Sequence, residues 1–213
     1  MDLLLTLFSF LVACSSTESR RTKKTIARTA HLVSILMSGG IDSSACVNFY
    51  LEESWDVRGI FIDYGQAAAG QETVASRSIA KHFKIPLRKI CITGINKKGI
   101  GVVQGRNALL LMTALMESSS DESMIAIGVH AGTNYSDCSP PFIRKMQSVY
   151  DMYTGGRIRI GAPFLRWGKL DIYRYCLDRH LPLHLMYSCE RGKTKPCGRC
   201  ATCRDIKAIH ARA

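Results

Sequence analysis

The sequence predicts an α/β fold: a doubly wound parallel sheet of five strands, with a cysteine-rich C-terminal segment that would bind zinc. Three observations carry this expectation. From His31 onward, short apolar runs alternate with stretches of helical periodicity. The runs are too uniformly apolar for a sheet with one wet face, so helices must cover both sides. Four of the nine cysteines crowd between positions 189 and 203. A chain of 213 residues, 46% of them apolar, fills one core more readily than two.

Leu32-Val33-Ser34-Ile35-Leu36 reads as the first, buried strand. A helix is expected from Ser43 to Glu53, then a strand from Val57 to Ile62 that closes on Asp63. Gln71 to His82 has helical periodicity, Leu87 to Ile92 reads as the third strand, and Arg106 to Ser118 as a strongly apolar helix. Met124 to Val129 is the fourth strand, Pro141 to Tyr153 a helix, Arg157 to Ile160 a short fifth strand and Lys169 to Arg179 a helix. Ligands of such sheets bind beyond the C-terminal strand ends, so the loops there are where function is expected.

The first of those loops is Ser38-Gly39-Gly40-Ile41-Asp42-Ser43-Ser44. Two glycines permit a tight turn and close backbone approach. A helix starting at the serines would turn free N–H groups and its positive end towards phosphate. The spacing is neither that of a Walker A loop nor that of the dinucleotide fingerprint. An ordinary glycine-rich turn with a serine cap is the plainer alternative. The complete run resembles the Ser-Gly-Gly-x-Asp-Ser loop of the PP-loop ATP pyrophosphatases, the group containing GMP synthetase, NAD synthetase and tRNA-modifying ligases. That resemblance implies a Rossmann-like, adenine nucleotide alpha hydrolase-like domain that binds ATP with Mg²⁺. Met37, Ser38, Gly39, Gly40, Ile41, Asp42, Ser43 and Ser44 would form its nucleotide cradle, with Asp63 beside it and Asp42 placing the metal or the loop.

Cys189-x7-Cys197-x2-Cys200-x2-Cys203 supplies four thiolates, a set that suits one tetrahedral zinc and leaves no position open for catalysis. A disulfide pair, a redox Cys-x-x-Cys and an iron–sulfur cluster use the same residues. The segment between the first two ligands has little apolar content, so a metal would have to supply the free energy that orders it. The metal is expected to be structural and to sit away from the reacting phosphates. The other five cysteines are scattered, as buried thiols of a reducing, cytoplasmic compartment are.

The formal net charge of +12 suits an anionic partner, either a nucleotide or a nucleic acid. Part of it lies early, at Arg20, Arg21, Lys23, Lys24 and Arg28. Residues 1–30 read as a flexible extension and 31–213 as the folded domain. Leu3 to Ala13 is apolar and ends in Leu11-Val12-Ala13-Cys14, which resembles a lipoprotein cleavage box. It lacks a basic start and is too short for a membrane span.

Together the glycine loop and the cysteine motif resemble the 7-cyano-7-deazaguanine synthase family (QueC type), from about His31 to the C-terminus. Asp63-Tyr64-Gly65-Gln66, Gly105-Arg106-Asn107, Gly128-Val129-His130-Ala131, Tyr135-Ser136-Asp137-Cys138, Pro141-Phe142, Pro163, Lys169 and Ser188-Cys189 carry the likeness. The departures are Ala67 and Ala68 where the family has Arg-His, Gln104 where it has proline, and Ser139 where it has arginine. These loops are expected to face the substrate. The resemblance implies a homodimeric ligase that acts on ATP, 7-carboxy-7-deazaguanine and ammonia, without membrane or direct nucleic-acid binding. Asp42, Ser43, Arg106, Asp137 and Lys169 would be its catalytic residues. A sister ligase adenylating another acid, or attaching a deazapurine to a macromolecule, is the alternative within the fold. A zinc-containing nucleic-acid-binding module is the alternative outside it, and it leaves the Gly-Gly loop unexplained.

Overall fold

The computed structural model describes residues 31–94, 103–133 and 135–211. The N-terminal extension and its basic run lie outside the described residues. Strands β1 (Leu32–Leu36), β2 (Asp56–Asp63), β3 (Leu87–Cys91), β4 (Glu122–Ala126) and β5 (Arg159–Gly161) form one sheet in the order β3-β2-β1-β4-β5. Every pairing is parallel. Helices α1 (Ile41–Glu52), α2 (Ala69–Phe83), α3 (Arg106–Met116), α4 (Pro140–Thr154), α5 (Lys169–Asp178) and α6 (Ala201–His210) cover it, with single 3₁₀ turns at Ser136–Cys138 and Leu183–Leu185. Among the described residues no helix is long and apolar enough to cross a membrane.

Alternation along β1 divides the core in two. Val33 and Ile35 face one side, where Ala45, Cys46 and Val47 of α1, Ile79 of α2, Ile172 and Cys176 of α5 and Ile209 of α6 pack. Leu36 faces the other, where Leu111 and Ala114 of α3 and Met146 and Tyr150 of α4 pack with Ile60, Ile62 and Ile125. Ser34 is the polar exception, and its hydroxyl accepts from Arg58 Nε. Arg58 also binds Glu122 at 2.5 Å, so the carboxylate at the start of β4 is buried but paired.

Because β1 is central, the chain leaves it to one side for β2 and returns on the other for β4. The loops after β1 and β4 therefore diverge and open a crevice at the C-terminal strand ends. The elements differ from expectation mainly at their edges. Helix α1 begins at Ile41, two residues early, because Gly40 rather than a serine is its N-cap. Strand β4 pairs over Glu122–Ala126, so Ile127 to His130 is freed to line the crevice.

Candidate functional site

A cleft of about 600 Å³ opens at this switch point. Its floor is the first turn of α1. Gly40, Ile41, Asp42 and Ser43 line it, and in the first turn of any helix the N–H groups have no partner within the helix. The turn is braced locally: Ser43 Oγ donates to Gly40 O at 3.1 Å and lies 3.4 Å from Ser38 Oγ. Gly39 has φ +72°, and a Cβ there would stand 2.6 Å from both Ala75 Cβ and Ser76 N of α2. Its glycine is thus set by packing, whereas Gly40 faces the open cleft.

Lys169, the first residue of α5, reaches across 127 positions of sequence to Asp42, with Nζ at 2.6 Å from Oδ1 and 2.5 Å from Oδ2. His130 stands beside the pair, its Nε2 3.9 Å from Asp42 Oδ2. Burial holds the imidazole below its ordinary pKa, with the Lys169 charge adding to the effect and Asp42 opposing it. In the middle of the cleft Arg106, Asn107 and Asp137 meet. The Asn107 amide nitrogen Nδ2 donates to Asp137 O at 3.0 Å, and the Asn107 N–H donates to Asp137 Oδ2 at 3.4 Å. On the α2 side Gln66 donates to Glu72 at 2.7 Å and accepts from the Tyr64 N–H at 2.9 Å. Burial raises the Glu72 carboxyl above the ordinary range, against the pull of Gln66 and Arg106.

The cysteine segment closes the remaining wall. Tyr187 N–H donates to Gly39 O at 2.9 Å, which sets Tyr187, Ser188, Cys189 and Glu190 against the glycine loop. Glu190 accepts from Thr202 N–H at 3.2 Å and from its hydroxyl at 2.8 Å, bracing the start of α6. The Sγ atoms of Cys189, Cys197, Cys200 and Cys203 all lie within 4.8 Å of one another. Four thiolates at about 2.3 Å from a tetrahedral ion would lie about 3.8 Å apart, so the set fits one metal ion. The thiols are free, and the 4.0 Å from Cys197 Sγ to Cys203 Sγ is twice a disulfide length of about 2 Å. N–H groups of Arg199 and Cys200 point at Cys197 Sγ and lower its thiol to about 6, towards the thiolate a metal needs.

Of the residues expected at the site, Met37, Ser38, Gly40, Ile41, Asp42, Ser43, Arg106, Asp137 and Lys169 line this one cleft. Gly39 and Ser44 do not: the first packs on α2 and the second is fully buried. Asp63 is not in the lining either. Its carboxylate is held by Lys89 at 3.0 Å and by the Gly65 N–H, which together outweigh burial and lower its pKa. The cysteine segment is nearer the glycine loop than expected, since Cys189 is part of the same cleft wall. None of Ala67, Ala68, Gln104 and Ser139 lines the cleft. Ala68 is buried beside Gly192, and Ser139 caps α4 through the Phe142 N–H. Tyr64, Gln66, Glu72, Tyr187 and Asp205 line the cleft without having been singled out as site residues; only the first two stood in a recognisable motif.

A family model for queuosine biosynthesis protein QueC matches residues 32–101 and 96–209. The 7-cyano-7-deazaguanine synthase of Prochlorococcus marinus (strain AS9601) is 33% identical over 208 residues, covering 84% of this chain and 92% of its own. The enzyme of the same name from Acetivibrio thermocellus is 31% identical over 196 residues, covering 79% and 88%. Among solved structures, a predicted subunit of tRNA methyltransferase from Methanocaldococcus jannaschii is similar with a TM-score of 0.48 and 15% identity, covering 70% of this chain and 76% of that one.

Proposed function

The chain belongs to the QueC family of queuosine biosynthesis proteins, and on that premise we propose that it is an ATP-dependent 7-cyano-7-deazaguanine synthase. It is a ligase that takes 7-carboxy-7-deazaguanine and ammonia to the nitrile. A carboxylate is a poor electrophile. Attack of its oxygen on the α-phosphorus of ATP expels pyrophosphate and leaves an acyl adenylate. Ammonia displaces AMP and gives the amide. A second adenylation, on the amide oxygen, gives that oxygen a leaving group, and loss of AMP leaves the nitrile.

The observation that carries this reading is the convergence of three remote segments on one cleft: the α1 start with Asp42, the α3 start with Arg106, and Lys169 of α5. The backbone of Ser38 to Ser43 cradles the pyrophosphate as it departs. Lys169 and Arg106 offset charge on the phosphates, and Asp137 orders the substrate side through Asn107. These are tasks of positioning and charge stabilisation, which a preformed polar cleft performs without reorganising. Mg²⁺ accompanies ATP and supplies further charge compensation.

The four cysteines hold one zinc ion, whose part is to fix the wall that Tyr187 to Glu190 build. The unit comprises residues 31–213, acts as a homodimer in the cytoplasm on small molecules, and carries residues 1–30 as an extension. The test is incubation of purified protein with ATP, Mg²⁺, ammonium and the carboxy-deazaguanine, read by mass spectrometry. Amide and then nitrile, with AMP and pyrophosphate, are expected. ADP and phosphate would refute the adenylation chemistry; AMP and pyrophosphate release without either nitrogen product would refute the substrate.

A further inference from the structure

The loop after β4 is shaped to press one side chain against two helix starts. Gly128 lies so close to α1 that a Cβ would stand 2.9 Å from Asp42 C and O. A Cβ on Gly132 would stand 3.0 Å from His130 Nδ1 and 3.2 Å from Lys169 N. The Ala131 N–H donates to Trp167 O at 3.0 Å and ties the loop to the approach of α5. Two missing side chains and one backbone bond thus place His130 beside the Asp42–Lys169 pair, where it is 7% exposed.

The ring is also oriented. The Gly132 N–H donates to Nδ1 at 3.1 Å, so Nδ1 uses its lone pair and carries no proton. A neutral imidazole with that bond has its hydrogen on Nε2, the atom that faces Asp42. The charged groups around it are Asp42, Lys169 and Asp205, and the ammonium of Lys169 opposes a second cation beside it. Both Asp42 oxygens now belong to Lys169, and Nε2 is left 3.9 Å away, beyond hydrogen-bond reach.

We propose that His130 is a positioning residue: a neutral imidazole, fixed with its hydrogen on Nε2, that holds the Asp42 carboxylate when Lys169 turns from it to the phosphates. The second half of this statement rests on the function proposed above. Without such a donor, Lys169 could leave only by giving the Asp42 carboxylate up to water, and the two states would differ by the lost charged hydrogen bond. With it, a movement of about 1 Å by the ring replaces one donor with another.

The experiment compares His130→Gln, His130→Asn and His130→Ala, each checked for an unchanged melting temperature. Glutamine extends an N–H towards the place of Nε2; asparagine reaches only as far as Nδ1. Glutamine is expected to keep kcat for AMP release within about threefold of the parent. Asparagine and alanine are expected to lose about tenfold or more in kcat, the size of one hydrogen bond to a charged group, with KM for ATP little changed. Equal losses in all three, or no loss in any, would overturn the proposal. Nitrogen-15 shifts of the free protein give a readout independent of turnover: a hydrogen on Nε2 is expected, and one on Nδ1 would overturn the proposal even if the ligase reading itself had failed.

Discussion

Lys169 closes its ammonium on both carboxylate oxygens of Asp42, joining the start of α5 to the start of α1. The two side chains are 15% and 25% exposed, so the pair is neither a free surface contact nor a sealed one. On the proposed function, Lys169→Met should lower kcat/KM by about two orders of magnitude or more, because the ammonium would otherwise offset charge that develops on the phosphates. It should cost stability only about 1 kcal/mol, since Asp42 retains access to water. Pyrophosphate release and thermal melting measure the two effects separately. A mutant with parental kcat/KM would remove Lys169 from the reacting groups.

Gly39 and Gly40 are neighbours with opposite reasons to be glycine. Gly39→Ala combines a positive φ with a clash against the α2 backbone and should destabilise by about 2–4 kcal/mol. Gly40 has φ −83°, and its nearest neighbours would lie 3.4 Å from a Cβ. Gly40→Ala should therefore fold within about 1 kcal/mol of the parent while losing about tenfold or more in activity, through the methyl group that it adds to the cradle. Urea melts and initial rates on both variants decide this, and the reverse ranking of stabilities would contradict it.

Metal analysis should find about one zinc per chain. Cys200→Ala should lower the melting temperature by about 5 °C or more, because ligand binding is what orders the segment. Activity should fall with it, since Cys189 is part of the cleft wall. A chelator strong enough to strip the ion should reproduce both losses, and added zinc should reverse them. Protein that is metal-free, fully active and equally heat-stable would refute the assignment; iron–sulfur absorbance would give the site to a cluster.

Glu72 offers a pH test. Burial raises its pKa in the folded state, so folded protein binds more protons than unfolded protein between the ordinary carboxylate range and the raised value. Its contribution to stability is thus present at acid pH and is lost as pH rises through that window. Glu72→Gln keeps an acceptor for Gln66 and removes the half-buried charge. It should melt higher than the parent at neutral pH and no higher at pH 4. A lower melting point at neutral pH would mean that Arg106 outweighs burial.

The sheet was legible because its strands are short and apolar and must be covered on both faces. Glu122 hid the true start of β4, since a charge at a strand entrance reads as loop until its Arg58 partner is known to lie two strands away. Asp63 has a partner that was hidden in the sequence. It stands at a C-terminal strand end, where ligands bind, but its partner Lys89 lies on the edge strand β3. Glu72 carried little signal, and His130 only its place in Gly128-Val129-His130-Ala131. His130 acquires its meaning from glycines on its loop, Glu72 from a glutamine six residues earlier, and neither relation follows a helical or strand period.

The hydrogen bond from Tyr187 to Gly39 spans 148 positions of sequence. During synthesis the glycine loop emerges early and waits for the wall that completes it. The sheet can assemble once β5 has left the ribosome, but the cleft gains its last side only with the final stretch of chain. Until then the first turn of α1 is open to water along one flank. A chain stalled or cut short after α5 would therefore keep a sheet and lose a site: loss of function would precede loss of fold.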